Sequence, residues 1–264
     1  MLEKQYNHHA LLLTAFVFFS SAGFAEGQAG PHEHTASLPS KLLETFKSSG
    51  VATLSLGPVW ENAGNTQTFY LAPNIEKTYA ANHASHALVD GEIFLGIQKS
   101  LREKLDGQIG LAVATTGNAS LSGNIWDDAT SQFNNYTYKY QVKHTHVAIK
   151  GKLLADRGYV VIPWVSGSLG VGFNQSHDFS NTPTISEAIV MPNFASNTTT
   201  TFTYTLGVGV ERHFYQHWQV GMGYEFADWG HSQLDRAAEQ TMGTGLSINH
   251  LYTNGLLFNL TWTA

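Results

Sequence analysis

An all-β fold is predicted by three properties of the sequence: residue character that alternates with a period of two, a regular spacing of polar segments, and the lack of a long apolar run after residue 25. In the segment 159–174, YVVIPWVSGSLGVGFN, one face is apolar throughout and carries an aromatic ring near each end, whereas the other becomes small and polar after Trp164. A helix would mix these two sets, so the segment is predicted to be a strand. At roughly 3.3 Å per residue, this strand is long enough to cross a bilayer when tilted.

Seven further segments alternate in the same way. The segment 136–154 is the least regular, because Val147, Ile149 and Leu153 alternate on one parity while Tyr136 and Tyr138 lie on the other. Either a bulge near residues 143–145 or a part that projects above the membrane would explain this switch. The eight predicted strands cover approximately residues 50–60, 87–99, 108–117, 136–154, 159–174, 199–213, 218–228 and 248–263.

The connections between these strands alternate in length. Four are long, at about 17 to 25 residues, and the others have about 4 to 7. Lipid offers the backbone no hydrogen-bond partner, so a sheet that spans a membrane must close on itself. Residues 50–264 are therefore predicted to form an eight-stranded antiparallel up-and-down transmembrane β-barrel with short periplasmic turns and long extracellular loops.

The composition supports this fold and excludes other classes. Charged residues make up 13% of the chain, against about 25% in soluble domains, and aromatic residues make up 12%. With no cysteine, neither disulfides nor thiol chemistry are available. The net charge of −6 gives no electrostatic reason to expect nucleic acid as a partner. We expect no metal and no cofactor.

The N-terminal segment is predicted to be an export signal. Lys4 precedes the apolar run ALLLTAFVFF, and the small residues Gly23 and Ala25 suit cleavage after residue 25. Residues 1–25 are therefore expected to be removed, and residues 26–49 are expected to form a polar periplasmic lead-in.

Four motifs carry a resemblance to a known family: GEIFLGIQ (91–98), LGVGVE (206–211), VGMGYEFADWGHSQL (220–234) and GLLFNLTW (255–262). The chain resembles the small outer-membrane β-barrel family typified by the OmpA transmembrane domain and OmpX. This resemblance implies a Gram-negative outer-membrane location, with membrane lipid and lipopolysaccharide as neighbours. It also implies that the barrel-assembly machinery recognises the C-terminal strand, in which Trp262 is the aromatic residue.

Charged residues on the inward faces are expected to pair, because isolated charges inside a barrel are costly. We predict an interior ion-pair cluster of Glu92, Lys150, Glu211 and Glu225. These pairs could gate a polar path or simply fill the interior. Filling is favoured, because eight strands enclose a space just wide enough for side chains.

Aromatic residues near the strand ends are predicted to form interfacial girdles. Further aromatic residues on the long loops, Phe69, Phe179 and Phe194 among them, would bind other molecules or pack over the barrel mouth. Trp229 is also expected in the outer girdle. The predicted girdle comprises Trp60, Tyr159, Phe173, Tyr204, Phe214, Trp218, Phe226, Tyr252 and Trp262.

The expected function is non-enzymatic: a structural or adhesion-like role in which the four loops contact a host or surface ligand. A narrow small-solute channel is one alternative, and an enzyme that modifies lipid A through serine and histidine is another. The pairs His231–Ser232 and His177–Asp178 are weak candidates for catalysis, because neighbouring residues on a strand point to opposite faces. No catalytic residue is therefore predicted.

Overall fold

A computed structural model describes residues 48–62, 64–83, 85–189 and 191–264. The predicted export signal and residues 26–47 of the predicted lead-in lie outside the described residues, and Ser48 and Ser49 belong to the first strand. The strands are β1 (Ser48–Asn62), β2 (Gln67–Ala72), β3 (Ile75–Ala81), β4 (Ala87–Arg102), β5 (Leu105–Thr116), β6 (Ala119–Asp127), β7 (Asn134–Leu154), β8 (Ile162–Pro183), β9 (Phe194–Ala195), β10 (Asn197–Tyr215), β11 (Trp218–Asp228), β12 (Ser232–Gln233), β13 (Asp235–Ala237), β14 (Ser247–Ile248) and β15 (Tyr252–Thr263).

The eight longest antiparallel pairings form a ring. Going round it, β1 pairs with β4, β4 with β5, β5 with β7, β7 with β8, β8 with β10, β10 with β11, β11 with β15, and β15 again with β1. One end of the ring carries the short connections and the other end carries the long ones. Among the described residues, no helix is long and apolar enough to cross a membrane.

The ring is apolar outside and largely polar inside. Leu95, Leu111 and Leu169 are between 53% and 62% exposed, although each lies in the middle of a strand. The residues that alternate with such apolar positions point inward and are mostly buried, among them Glu92 and Lys150. This is the reverse of a soluble protein, in which large apolar side chains gather inside. It follows that hydrocarbon surrounds the ring.

The predicted strand boundaries agree closely with the observed ones, with a few corrections. The fifth predicted strand begins too early, because Tyr159 lies in the connection before β8, and it ends too early, because β8 continues to Pro183. The last predicted strand also begins too early, because β15 starts at Tyr252.

The predicted bulge near residues 143–145 is wrong. The pairing of β7 with β8 runs without a break from Gln141 to Leu154, and its irregularity lies between Lys139 and Gln141. Residues of even number face inward along the whole of β7. The alternative explanation holds, because the upper part of β7 projects beyond the ring and its inward face meets an apolar core instead of a polar interior.

The long connections are folded instead of irregular. β6 takes over from β5 as the neighbour of β7, and β3 and β2 extend the sheet from β6. The short strands β9, β12, β13 and β14 pair within the same region. We call this region the cap: residues 64–83, 117–142, 176–189, 191–196 and 229–251.

Candidate functional site

The barrel interior holds three of the four predicted charged residues in one cluster. The Lys150 Nζ atom lies 2.6 Å from Glu92 Oε1 and 3.0 Å from Glu225 Oε2. All three side chains are at most 10% exposed. A single ammonium group therefore bridges two carboxylates from strands that lie far apart in the sequence.

Glu211 is not part of this cluster, because it pairs with Lys152. The Lys152 Nζ atom also lies 4.6 Å from the centre of the Trp164 ring. Trp164 in turn lies against Gly209 and Gly223, where a Cβ atom would come within 2.5 Å of its ring. Lys152 was not among the residues predicted for the interior cluster. Its alternation with Lys150 on β7 was the available signal.

These side chains leave little free space. A cavity of about 20 Å³ is lined by Glu92, Lys150, Lys152, Trp164 and Glu225 among others. Since one water needs roughly 10–15 Å³, this cavity holds about one water molecule.

Above the charged cluster, a layer of packed, mutually tilted rings lies across the barrel mouth. The Trp229 ring lies 4.1 Å from the ring of His144 and 4.8 Å from that of His146, measured between centroids. The Trp229 Nε1–H group donates to Thr253 Oγ1 at 2.8 Å. Asn174 holds the layer in place, since its Nδ2 atom donates to the backbone oxygen of Trp229 at 2.8 Å and its Oδ1 atom contacts His144 Nδ1. We call this layer the plug.

The prediction that Trp229 belongs to the outer girdle is wrong, because its side chain is 1% exposed. The fold turns the chain inward directly after β11, where Gly230 has a φ of 71°. The even-numbered residues of β11 point outward, so the odd number of Trp229 was an available signal for an inward side chain.

The cap has its own apolar core above the plug. The ring of Phe179 packs edge-to-face on Phe194 at 4.7 Å and is stacked with Tyr138 at 6.1 Å. Tyr79 joins the same group at 5.5 Å from Phe194. Burial raises the pKa of Tyr138 to about 12, so this phenol stays neutral at physiological pH. Of the two expectations for loop aromatics, packing over the mouth describes these residues, whereas Tyr70 and Phe133 remain exposed.

A cleft of about 350 Å³ opens between β3, the end of β8, Ile189, and the segments 191–194 and 237–240. Its walls include the rings of Tyr79, Tyr136 and Phe179. Lys77 also lines it, but the ammonium group contacts Asp127 and lies 5.6 Å from the centre of the Tyr136 ring. The Tyr136 hydroxyl donates to the backbone oxygen of Ile189 at 2.8 Å.

The weak catalytic candidates do not form a serine–histidine pair among the described residues. Ser176 and Ser232 bond each other through their hydroxyls at 2.6 Å, and His177 contacts Asp178 on the surface. Another acid–histidine pair joins His250 Nδ1 and Asp228 Oδ2 at 2.9 Å. Within the described part of the chain, no hydrogen bond joins a serine hydroxyl to a histidine ring.

Two groups of outward aromatic residues mark the two ends of the ring. Near the cap, the rings of Phe226 and Tyr252 are stacked at 5.7 Å, and Tyr204 lies 6.3 Å from Phe226. At the short-turn end, Trp218 and Trp262 are register partners on adjacent strands. The remaining predicted girdle residues are also accessible: Trp60, Tyr159, Phe173 and Phe214.

A ring of strands with an apolar exterior, aromatic residues at both ends and a charged, filled interior defines an outer-membrane β-barrel, whose strands cross the membrane. Within the residues described, no cluster of three or more histidine and acidic side chains is arranged to hold a metal ion.

Solved structures with a similar fold are outer-membrane proteins. Neisserial surface protein A shares 11% identity over 82% of this chain and 98% of its own, with a TM-score of 0.44. The outer-membrane protease OmpT from Escherichia coli shares 9% over 82% and 97%, with a score of 0.41. OprG from Pseudomonas aeruginosa shares 10% over 82% and 98%, with a score of 0.39. At these values the neighbours assign no ligand, reaction or partner to this chain. No protein-family model and no curated protein sequence matches it.

Proposed function

We propose that this protein is a non-enzymatic outer-membrane barrel that presents a folded contact surface, the cap, outside the cell. The observation that carries the proposal is the apolar core of the cap. Four connections that share a core of rings around Tyr79, Phe179 and Phe194 hold their outer residues in fixed positions. A fixed surface loses less conformational entropy on binding than flexible loops do.

Exposed apolar side chains on the cap are the best candidates for contact. Tyr70 is 45% exposed, Phe133 49% and Ile189 84%, and all three lie on long connections. Exposed aromatic and large apolar residues at loop positions frequently provide the central contacts of protein interfaces. The proposed partners are a host or surface ligand on the cap, and lipopolysaccharide and membrane lipid around the barrel. The assembly machinery would bind β15.

The test of the contact role compares two triple variants. Replacing Tyr70, Phe133 and Ile189 with serine should remove adherence of expressing bacteria to epithelial monolayers. A control that replaces Val160, Phe214 and Tyr215 with serine changes three exposed residues at the short-turn end and should keep adherence. Equal adherence of both variants and the unmodified protein would contradict the role.

The orientation is a separate part of the proposal and has its own test. The chain has no native cysteine, so single cysteines can be introduced without background. We expect Glu239→Cys, in the cap, to react with a membrane-impermeant maleimide on intact cells. Glu103→Cys, in the β4–β5 turn, should react only after the outer membrane is permeabilised. The opposite pattern would reverse the assignment of short periplasmic turns and long extracellular loops.

Two alternatives have less support. A small-solute channel would need a path past both the Trp229 plug and the Lys150 cluster. The cavity among the charged residues holds only about one water molecule. Single-channel steps of the unmodified protein in planar bilayers would favour the channel. A lipid A-modifying enzyme would need a nucleophile beside its base, and a change in lipid A mass on overexpression would favour it.

A further inference from the structure

The outward face of β7 and β8 changes from apolar to polar along its length. In the lower part Val147, Ile149 and Phe173 are exposed, as lipid contact requires. From the register pair of Lys143 and Gln175 upward, every outward residue of these two strands is polar. β6 continues this surface on the other side of β7. We call it the polar face, and it comprises Ser120, Ser122, Asn124, Thr137, Lys139, Gln141, Lys143, Gln175, His177, Ser180 and Thr182.

Two lysines on the polar face have no partner. Lys139 and Lys143 are exposed, and neither ammonium group has a hydrogen bond or an ion pair within the described part of the chain. Asp178 lies beside the face, and its carboxylate contacts the ring of His177 at 2.9 Å. The cap has seven acidic and three basic residues, so its net charge is negative. An anion is therefore attracted to the polar face and not to the cap as a whole.

The two lysines lie at different heights above the hydrocarbon. Lys143 follows two residues above the pair of Thr145 and Phe173, which is roughly 5 Å in height for a strand tilted by about 40°. Lys139 lies four residues further along the same strand, roughly 10 Å higher. The polar region of a phospholipid leaflet extends only about 5–7 Å beyond the hydrocarbon. A phospholipid headgroup therefore reaches Lys143 but not Lys139, whereas a longer headgroup reaches both.

A polar cleft beside Lys139 indicates what this longer headgroup is. The cleft has a volume of about 380 Å³, and hydroxyl and amide groups of Ser122, Asn124 and Thr182 line it. Such groups donate and accept hydrogen bonds, which the hydroxyls of a sugar require, and the described lining contains no carboxylate. The face is held in shape from behind, because inward residues such as Tyr138 belong to the apolar core of the cap.

We propose that the polar face binds the acidic sugar headgroup of a lipopolysaccharide molecule in the outer leaflet. A phosphate next to the acyl chains contacts Lys143, and an acidic group of the sugars further from the membrane contacts Lys139. This assignment gives a site to one of the partners proposed above. It rests on the proposed orientation of the cap outside the cell, because lipopolysaccharide occupies the outer leaflet, but it does not depend on adherence.

The test compares three lipids by native mass spectrometry of the full chain in detergent micelles. Deep-rough lipopolysaccharide carries phosphates beside the acyl chains and acidic sugars beyond them, lipid A carries the phosphates alone, and phosphatidylglycerol carries one phosphate and no sugar. Lys139→Gln and Lys143→Gln remove the two charges separately. The matched control is Lys104→Gln, an exposed lysine in the β4–β5 turn. An unchanged heat-dependent gel shift shows that each variant is folded.

The two lysines should respond differently to the length of the headgroup. A basic residue near an anionic membrane surface contributes about fivefold in binding, so Lys143→Gln should weaken lipopolysaccharide and lipid A alike by that factor. Lys139→Gln should weaken lipopolysaccharide about fivefold and leave lipid A unchanged. Lys104→Gln should alter neither affinity. The unmodified protein should bind phosphatidylglycerol more weakly than lipopolysaccharide.

Three outcomes would overturn the proposal: unaltered lipopolysaccharide affinity in Lys139→Gln, a loss of the same size in Lys104→Gln, or phosphatidylglycerol binding as tight as that of lipopolysaccharide. Binding in micelles does not depend on the orientation in the membrane. Failure here together with the expected maleimide labelling would therefore reject the site alone, whereas reversed labelling would reject the orientation while the affinities persist.

Discussion

Lys150 is the residue whose loss should most disturb the barrel interior. Its ammonium group bonds Glu92 through both carboxylate oxygens, at 2.6 and 2.9 Å, and Glu225 at 3.0 Å. Lys150→Met keeps most of the apolar stem and removes only the charge and its hydrogen bonds. Two carboxylates would then face each other without a counter-charge.

The expected cost follows from this geometry. Removing one partner of a buried ion pair destabilises proteins by about 3–5 kcal/mol, because the remaining charge stays buried without compensation. Here two carboxylates lose one cation, so we expect the upper half of that range. This is a large part of a typical stability of about 5–15 kcal/mol. The free energy of unfolding in urea, measured in phospholipid vesicles at neutral pH, is the appropriate assay.

Two controls make the result specific. Lys143→Met changes the same residue type at an exposed position of the same strand and should cost less than about 0.5 kcal/mol. Adding Glu92→Gln and Glu225→Gln to Lys150→Met removes the uncompensated charges and should restore most of the loss. Equal stability of Lys150→Met and Lys143→Met, or no recovery in the triple variant, would refute the reasoning.

Two further predictions concern packing. Gly223→Val places a side chain where a Cβ atom already comes within 2.5 Å of Trp164, so overpacking should cost about 1–3 kcal/mol or more. Gly151→Val should cost less, because its Cβ atom would make only an ordinary contact, at 3.9 Å from the Gln108 backbone oxygen. Equal urea midpoints would contradict the position of Trp164. Phe179→Ala should destabilise the cap by about 3–5 kcal/mol without unfolding the barrel. Proteases should then cut the cap, while the heat-dependent gel shift of the folded barrel persists. Loss of the gel shift together with cleavage of the cap would indicate that cap and barrel unfold as one cooperative unit.

The barrel strands could be predicted because each carries its own signal. Alternating apolar and small or polar residues fix both the strand and its outward face, as along β8 from Pro163 to Phe173. The same alternation placed Glu92, Lys150, Glu211 and Glu225 inside. It does not give their pairing, which depends on the register of strands that lie 58 and 75 residues apart for the Lys150 contacts.

The cap could not be predicted in the same way. Its strands β9, β12 and β14 have two residues each, too few for a period to be detected. Its core residues, such as Phe179 and Phe194, are scattered along segments with many polar residues and meet only through tertiary packing. The apolar inward face of upper β7 was visible as Tyr136, Tyr138 and Tyr140, and it correctly raised the possibility of a segment beyond the membrane.

The central claim, that lipid surrounds the apolar face of the ring, is tested most directly by a fluorophore on an introduced cysteine. Leu95 points outward and is 53% exposed, whereas Glu239 lies in the cap. An NBD group attached to Leu95→Cys before refolding should be strongly quenched by phospholipid with a spin label in the middle of its acyl chain. The same group on Glu239→Cys should be quenched only by a water-soluble agent. Quenching of the Leu95→Cys label by the water-soluble agent alone would contradict the account.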